Sequence, residues 1–341
     1  MLLNALRQSC VFAHGRDMTG KLEEKSEGVY RRIRNVEQQN NRLATGKPFV
    51  RKNSRRKTMS IGLRYKDDKQ VFHEEEGAVP YLTYPLFTET GVVNHGFSTR
   101  LGGVSEGCWS SMNLSFTRGD KEENVRENFR RMAHAIGVSD SDMVLSRQTH
   151  TTNVRVVTEA DRGMGIIRPL EYTDVDGLVT DVPGICLATF YADCVPLFFV
   201  DPVKRVIGLS HSGWRGTVGK IGKVTVETME AQYGSNPKDI LAAVGPSICQ
   251  DCYEVSAEVI DAFKENYAER CWKDLFYEKT NGKFQLNLWK ANEFVFLESG
   301  IRPEHIAVTN VCTHCNSDLL FSHRATGEKR GNLGAFLALK D

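Results

Sequence analysis

Hydrophobic positions beyond residue 80 fall into short runs separated by glycine, proline and aspartate. Several runs are apolar throughout, which is typical of strands buried on both faces of a sheet, while longer stretches with a helical period end at Gly or a polar break. Strands are predicted at 92–98, 143–148, 154–157, 176–180, 185–191, 196–200, 205–210, 241–245 and 305–311, and helices at 123–137, 218–234, 256–268 and 288–300. This alternation predicts a single layered domain of the α/β class.

The first 58 residues differ from the rest in charge. They carry 14 Lys and Arg against 5 Asp and Glu, a net charge of +9, so the remaining chain carries −8 within a total of +1. We therefore predict a basic extension over residues 1–58, disordered or partly helical, and a main domain over residues 59–341. An acidic main domain argues against nucleic acid as its partner, because neutralising phosphates requires a basic face.

The sequence also indicates the cellular compartment of the protein. No run of residues reaches the roughly 18 apolar positions that a membrane span needs, and Asn4, Arg7 and Gln8 interrupt the apolar start before a signal-like stretch accumulates. The nine cysteines are an odd number in a long chain, so they indicate core thiols and metal ligands in a reducing compartment. We predict a cytoplasmic protein.

Three predicted strands each lead to a side chain that binds soft metals. SRQTH ends at His150, ATFYADC at Cys194 and IGLSH at His211. A lone buried Cys is usually an inert thiol and a lone His usually a hydrogen-bonding group. Together, two imidazoles and one thiolate leave the fourth tetrahedral position of zinc open, as in catalytic sites. Asp193, beside Cys194, is a candidate for supporting the ligands or shuttling a proton.

Two glycine-rich turns carry candidate anion ligands. GLSHSGWRGTVGK reads as strand, turn and helix start, which would direct backbone N–H groups and Arg215 at an anion beside the metal. GFSTRLGGVS places Arg100 before a Gly-Gly turn, and Asn113 follows in SMNLS. Surface arginines on ordinary turns remain the alternative in both places.

A third polar turn follows the apolar run near the C-terminus. LLFSHRATGEKRG brings His323, Arg324 and Arg330 together, a set suited to closing over an anionic substrate. The residues alone favour a solvated loop here.

Two cysteine pairs have the spacing of a structural tetrathiolate zinc site. CQDC contains Cys249 and Cys252, and CTHC contains Cys312 and Cys315. Because 59 residues separate the pairs, the fold must bring them together, and the sequence favours core or loop thiols over a second metal.

The order of these motifs resembles a known family, the laccase-domain or polyphenol-oxidase-type proteins. The likeness covers about residues 80–341 and leaves the basic extension outside. It rests on FSTRLGGVS, SRQTH, DVDGLVTD, ADCVPLFFVDP, SHSGWRGT, GPSICQDCYEV and CTHCNSDLLFSHRATGEKRGNLGAF.

The resemblance implies a fold of mixed β-sheets covered by helices, shared with deamidase toxins, and a zinc held by His150, Cys194 and His211. It also implies phosphorolysis of adenosine, inosine, guanosine and S-methyl-5'-thioadenosine with inorganic phosphate, along with deamination of adenosine. Arg100, Arg215 and Arg324 match segments of the family's active site. The oligomeric state stays open.

Other functions compete with this one. A His2Cys set can bind copper, but the sequence contains no His-x-His pair of the kind that a multicopper oxidase needs. Cys194 could instead be the nucleophile of an amidase or peptidoglycan-editing hydrolase, with His211 or His150 as base. A third interpretation is a binding module in which the metal only stabilises the fold. The open coordination position argues against it.

Overall fold

A computed structural model describes residues 61–341. The basic extension predicted over residues 1–58 lies outside the described residues, so its boundary stays a prediction. Within the described part, no helix is long and apolar enough to cross a membrane.

The chain alternates strands and helices throughout this region. The strands, β1 to β15 in chain order, are His73–Glu75, Tyr81–Thr83, Val93–Ser98, Met143–Leu145, Val154–Val156, Gly177–Thr180, Cys186–Tyr191, Val195–Asp201, Val206–Ser212, Leu241–Val244, Glu254–Val255, Phe276–Glu278, Phe284–Leu286, Ile306–Val308 and Leu333–Leu339. The helices, α1 to α8, are Pro85–Thr88, Glu122–Ile136, Trp214–Val218, Ile221–Tyr233, Ala257–Asn266, Glu269–Leu275, Leu288–Glu298 and His323–Thr326.

The strands form two mixed six-stranded sheets and a small third sheet. The first sheet has the order β1-β2-β3-β15-β7-β4, the second has the order β14-β10-β8-β9-β6-β5, and the third has the order β11-β13-β12. In the first sheet β15 is antiparallel to both neighbours, whereas β4 is parallel to β7. In the second, β8 and β9 form an antiparallel pair, and β5 runs parallel to β6.

The two large sheets share one hydrophobic core. Leu187 and Leu337 of the first sheet pack in the same buried cluster as Phe198 and Leu209 of the second. Phe336, one position before Leu337, belongs to a separate cluster on the other face of the first sheet. This division follows from the strand geometry, in which successive side chains point to opposite faces.

Helices cover the outer faces of both sheets. Phe129 of α2 meets Phe336 of the first sheet with ring centroids 6.5 Å apart, and Phe296 of α7 meets Phe199 of the second with centroids 5.2 Å apart. Helix α2 ends at Gly137, whose left-handed φ of 76° suits a residue without a Cβ. The result is a layered fold of mixed sheets covered by helices, as predicted.

The predicted strands and helices are all present, but several strands were not predicted. The largest is Leu333–Leu339, which lies inside the first sheet between β3 and β7. Its sequence, LGAFLAL, is rich in Leu and Ala, which favour helices by intrinsic propensity, and contains no β-branched residue. Pairing on both edges therefore determines this strand, and a local pattern could not reveal it.

Candidate metal centre and active site

The three predicted metal ligands come together where the chain passes between the two large sheets. His150 lies in the loop after β4, Cys194 in the link from β7 to β8, and His211 near the end of β9. One ligand atom from each lies within 4.8 Å of the others, and Cys194 Sγ is 3.9 Å from His150 Nε2. Zinc–nitrogen bonds of about 2.0 Å and zinc–sulfur bonds of about 2.3 Å would place tetrahedral ligand atoms about 3.3–3.8 Å apart. Small side-chain movements would therefore bring the three ligand atoms to tetrahedral spacing around a metal ion, with one position open.

A buried carboxylate, Asp176, organises these ligands. Its Oδ1 is 2.7 Å from His211 Nδ1 and accepts the backbone N–H of His150 at 3.1 Å. Its Oδ2 accepts the backbone N–H groups of Thr149 and Thr151 at 2.9 and 3.0 Å. Holding Nδ1 of His211 leaves its Nε2 for a metal, which is the usual arrangement behind a ligating histidine.

The charges of this cluster reinforce one another. Burial opposes ionisation of Cys194, but the positive charge of His211 and the hydrogen bonds with His150 and His211 together outweigh it and lower the pKa of the thiol to about 6. Burial likewise disfavours the imidazolium of His211, yet the Cys194 thiolate and the Asp176 hydrogen bond raise its pKa to about 9. Without a metal the pair therefore exists near neutral pH as thiolate and imidazolium.

Close packing restricts the backbone around the ligands. His150 has a left-handed φ of 68°, a conformation that is uncommon for a residue with a side chain. Gly213, between β9 and α3, packs against it so closely that a Cβ there would lie 2.7 Å from His150 Cδ2 and 3.4 Å from Cys194 Sγ. The glycine in SHSGW is thus needed beside the metal ligands rather than for a turn with positive φ.

The three ligands open into a cavity of about 640 Å³, within the range of small-molecule sites. One part of its wall is apolar, with Phe116, Leu145, Leu170 and Phe190. The rest carries polar and charged side chains from the loop before α2, the first turns of α2, the loop after β4 and the segment before β15; these are Ser115, Thr117, Arg118, Glu122, Arg126, Ser146, Arg147, Gln148, Arg330 and Asn332.

Two arginines in this wall, Arg118 and Arg330, each have an N–H group without a hydrogen-bond partner among the described residues. Arg330 is only 6% exposed, and its Nη1 donates to the side chain of Asn332 and the carbonyl of Gly331. Arg118 Nη1 pairs with Glu328 at 2.7 Å. The buried Nε atoms of both arginines lack a partner within residues 61–341. Burial and the nearby charge of Arg118 lower the pKa of Arg330 to about 10, so Arg330 remains a cation at neutral pH.

Arg100 and Asn113, two of the predicted anion ligands, are outside the cavity lining and hold neighbouring loops. The Arg100 guanidinium donates to the carbonyls of Ser110 and Ser317, both at 2.8 Å, and stacks on Phe321. Asn113 is fully buried; its amide nitrogen donates to Asp120, and its oxygen accepts the backbone N–H of Asn332. Asn113 thus supports a cavity wall from behind.

Arg215 and Trp214 begin the short helix α3, which follows the ligand strand β9. The Arg215 guanidinium is 4.3 Å from the centre of the Trp214 ring, and the residue is exposed. It does not line the cavity described above. Its predicted role in binding phosphate stays a prediction.

Asp193, His323 and Arg324 form a different arrangement from the one predicted. Asp193 Oδ1 accepts from the Thr313 hydroxyl at 2.6 Å, and Oδ2 accepts from the backbone N–H of Arg324 at 2.6 Å. The carboxylate in contact with a predicted histidine ligand is therefore that of Asp176. The exposed His323 lies 3.8 Å from Glu328, outside the residues that line the cavity.

The guanidinium of Arg324 faces a neighbouring turn. Its Nη1 and Nη2 donate to the carbonyls of Cys252 and Glu254 at 3.2 and 3.1 Å, and it lies 5.3 Å from the centre of the Tyr253 ring. These contacts connect helix α8 to the segment after the CQDC motif.

The fold also brings the two distant cysteine pairs together. The sulfur atoms of Cys249, Cys252, Cys312 and Cys315 all lie within 4.8 Å of one another. The fold therefore meets the condition for a shared site, because a parallel bridge between Ser247 and Cys312 joins the two segments. The choice between core or loop thiols and a second metal stays a prediction.

Sequence reasoning overlooked Asp176, and Arg118 as well. Asp176 stands directly before β6 in DVDGLVT, and the antiparallel register that pairs Gly177 with Ser210 puts it opposite His211. A prediction of that strand pairing would have found it. Arg118, in FTRGD, has no comparable signal, because its loop reaches the cavity only through tertiary packing.

Comparisons with known proteins show the family of this chain. A family model described as multi-copper polyphenol oxidoreductase laccase matches residues 94–340. Purine nucleoside phosphorylase YlmD of Bacillus subtilis (strain 168) is 38% identical over 251 residues, covering 72% of this chain and 88% of that protein. Adenosine deaminase RL5, from an unknown prokaryotic organism, is 37% identical over 238 residues, covering 69% and 90%. The crystal structure of YlmD from Geobacillus stearothermophilus superposes with a TM-score of 0.74 at 33% identity, covering 80% of this chain and 99% of that one.

Proposed function

Since the chain belongs to the multi-copper polyphenol oxidoreductase laccase family, and similar proteins bear the names purine nucleoside phosphorylase and adenosine deaminase, we propose that it is a purine nucleoside phosphorylase that also deaminates adenosine. One observation carries the proposal. The same cavity contains an open His-Cys-His ligand set, an apolar wall and two arginines whose buried Nε atoms have no partner within residues 61–341.

The metal in this proposal is zinc, held by His150, Cys194 and His211. Zinc bound by three protein ligands supplies a Lewis acid and lowers the pKa of a water molecule in its fourth position. Asp176 fixes the orientation of His211 through the 2.7 Å contact with Nδ1. The thiolate character of Cys194 suits a soft divalent ion, and the absence of His-x-His pairs disfavours a copper cluster.

Arg118 and Arg330 provide the anion site of the proposal. A guanidinium whose buried N–H has no partner gains a charge-assisted hydrogen bond when a phosphate oxygen reaches it. A phosphate held there would place negative charge near the ribose, where positive charge develops as the bond to the base breaks. The departing base also needs a proton donor, which these contacts do not assign.

The apolar wall offers a place for the purine ring. Phe116 and Phe190 line the cavity, and both pack on the buried Phe129, with ring centroids 5.5 and 5.8 Å from it. Aromatic rings held in this way present fixed faces and edges to a flat heterocycle. They also exclude water, which strengthens the electrostatic contacts of the nearby arginines.

Two further assignments belong to the proposal. The catalytic domain covers residues 59–341, with the basic extension outside it. The protein acts in the cytoplasm, which the free thiols of all eight cysteines in the described region support.

Incubating zinc-loaded protein with adenosine, with and without phosphate, tests the two activities. We expect adenine and ribose 1-phosphate only when phosphate is present, and inosine in its absence. Chromatography of the products distinguishes the outcomes, and a fully metallated sample that turns over no purine nucleoside would refute the function.

The anion site has its own test in Arg330→Gln and Arg118→Gln. We expect each to raise the KM for phosphate by about 10- to 100-fold, the cost of one charge-assisted hydrogen bond, and to affect deamination less. Arg162→Gln is the matched control, because its side chain is 29% exposed like that of Arg118 but pairs with Asp142 and Glu159 outside the cavity. Equal phosphate KM values in all three variants would remove the arginines from the site.

One observation favours a second candidate function, hydrolysis with Cys194 as nucleophile. A thiolate beside an imidazolium that a carboxylate orients is the arrangement of cysteine hydrolases. Such an enzyme works without metal and is inactivated by alkylation of Cys194. Chelator-treated protein that hydrolyses amide substrates would support the hydrolase, and activity that depends on added zinc would exclude it.

A further inference from the structure

The four clustered cysteines stand apart from the cavity and from the proposed chemistry. Cys312 is fully buried and Cys249 is 3% exposed, while Cys252 and Cys315 are half-buried. Each pair sits on its own turn, CQDC and CTHC. We propose that Cys249, Cys252, Cys312 and Cys315 form a second metal site, a closed tetrathiolate that binds one structural zinc ion.

The distances between the sulfur atoms support a metal over the alternatives. With zinc–sulfur bonds of about 2.3 Å, the sulfur atoms of a tetrahedral site lie about 3.8 Å apart. Cys252 Sγ and Cys315 Sγ are 3.6 Å apart, and all four sulfurs lie within 4.8 Å of one another. A disulfide needs two sulfurs at about 2.05 Å, and it would leave the remaining pair without a role in this compact group.

The surroundings suit bound thiolates. The backbone N–H groups of Cys249 and Cys315 point at Cys312 Sγ, at 3.2 and 3.5 Å, and such hydrogen bonds stabilise a charged sulfur. Lys66 pairs with Asp251 in the CQDC turn at 3.0 Å, which places a positive charge near a cluster whose four thiolates exceed the charge of a divalent ion.

An apolar shell closes one side of the cluster. Ile248, Tyr253 and Trp289 pack against the cysteines, and the Trp289 indole N–H donates to the Ser247 hydroxyl at 2.7 Å. Four protein ligands with an apolar cover leave no position for substrate, which is the character of a structural zinc site.

A metal here would steady the segment that flanks the first site. The backbone N–H of Ile248 donates to the carbonyl of Asp193, next to Cys194, at 3.0 Å. On the other side of the CQDC turn, Arg324 donates to the carbonyls of Cys252 and Glu254. The second site would therefore hold the segment at Asp193 and Cys194 and the helix of Arg324 in position without touching the substrate.

Counting metal ions in the full chain tests the proposal directly. Zinc-loaded protein, freed of loosely bound metal by gel filtration, is expected to hold two zinc ions per chain by elemental analysis. Cys252→Ser/Cys315→Ser should lose one of them, whereas Cys108→Ser, which replaces a half-buried cysteine outside both clusters, should lose none. An unchanged metal count in the folded double variant would overturn the proposal.

A second measurement holds even if the double variant fails to fold. His150→Ala/His211→Ala removes two ligands of the first site and leaves all four clustered cysteines. Zinc X-ray absorption of this variant should show one ion with four sulfur neighbours at about 2.3 Å. No bound zinc, a nitrogen-containing shell, or a Cys252–Cys315 disulfide found by mass spectrometry of the unreduced protein would each overturn the second site without bearing on the proposed activity.

Discussion

The two cysteine-containing clusters are built from similar atoms but differ in what surrounds them. The first has three ligands from three separate strand ends, a buried acid behind one histidine, and an open side toward a cavity. The second has four sulfurs on two short turns, with backbone N–H groups and apolar side chains around them. Ligand number and access to the cavity therefore separate a site suited to chemistry from one suited to holding the fold.

Removing ligands from each cluster is the strongest test of whether the two clusters have different roles. Cys194→Ala should reduce phosphorolysis and deamination below detection while changing the melting temperature little, because His150 and His211 keep their contacts with Asp176. Cys252→Ser/Cys315→Ser should lower Tm by at least about 5 °C, since a structural metal stabilises only the folded state, yet retain most activity at 20 °C or below. Activity assays and thermal melts of both variants test this difference between the clusters. Identical effects of the two variants on activity and on Tm would contradict it.

The pH dependence of metal binding should separate the clusters next. Between pH 6 and 9 the first site without metal holds a proton on His211 and none on Cys194, because their pKa values are about 9 and about 6. Binding must expel that proton, so affinity at the first site rises with pH by about tenfold per unit.

The second cluster should respond more steeply. Burial and the charge of Cys249 raise the pKa of Cys252 to about 12, and the hydrogen bond with Cys249 together with burial raises that of Cys312 further. Metal binding at the second cluster therefore releases at least two protons, so its zinc affinity should rise by about 100-fold per pH unit. Chelator competition at pH 6.5 and 8.5, on variants that retain one cluster each, measures both slopes; equal slopes would contradict the assigned protonation.

Asp176→Asn sharpens the view of the first site alone. An amide cannot replace the carboxylate toward His211 and the three backbone N–H groups that it accepts. We expect zinc affinity at the first site to fall by about 10- to 100-fold and the second site to be unaffected.

Asp201→Asn is the control for this change. Asp201 is also fully buried and accepts backbone N–H groups, those of Val203 and Lys204, but it lies at the far end of β8 from Cys194. Both variants should lose stability, and only Asp176→Asn should lose metal affinity. A comparable loss in the control would assign Asp176 a merely structural role.

The sequence could predict features that depend on local patterns, but not those that depend on contacts between distant segments. Strand ends gave the three ligands of the first site, since apolar runs that stop at His or Cys are visible locally. The pairing of CQDC with CTHC, the position of Arg118 and the central strand β15 all depend on contacts between distant segments. For the two arginines at glycine turns, the local pattern predicts an anion site in both places. Tertiary packing gives Arg100 carbonyl partners, whereas Arg215 is exposed and its role in binding phosphate stays a prediction.

Gly213→Ala should produce the smallest effect and the most specific one. A Cβ at this position would lie 2.7 Å from His150 Cδ2, so the imidazole or the backbone at residue 213 must shift. Because a ligand displaced by a few tenths of an ångström still binds, we expect zinc affinity at the first site to fall by only about 3- to 10-fold, less than the loss of a supporting carboxylate.

Gly216→Ala, one turn of chain away in α3, provides the comparison. Its added methyl would meet nothing closer than 3.5 Å, and alanine favours a helix over glycine. Chelator competition on both variants, with the second site as an internal reference, should show weakened binding only for Gly213→Ala. If affinity is unchanged in both, His150 has room to move, and the closeness of Gly213 does not determine the geometry of the open site.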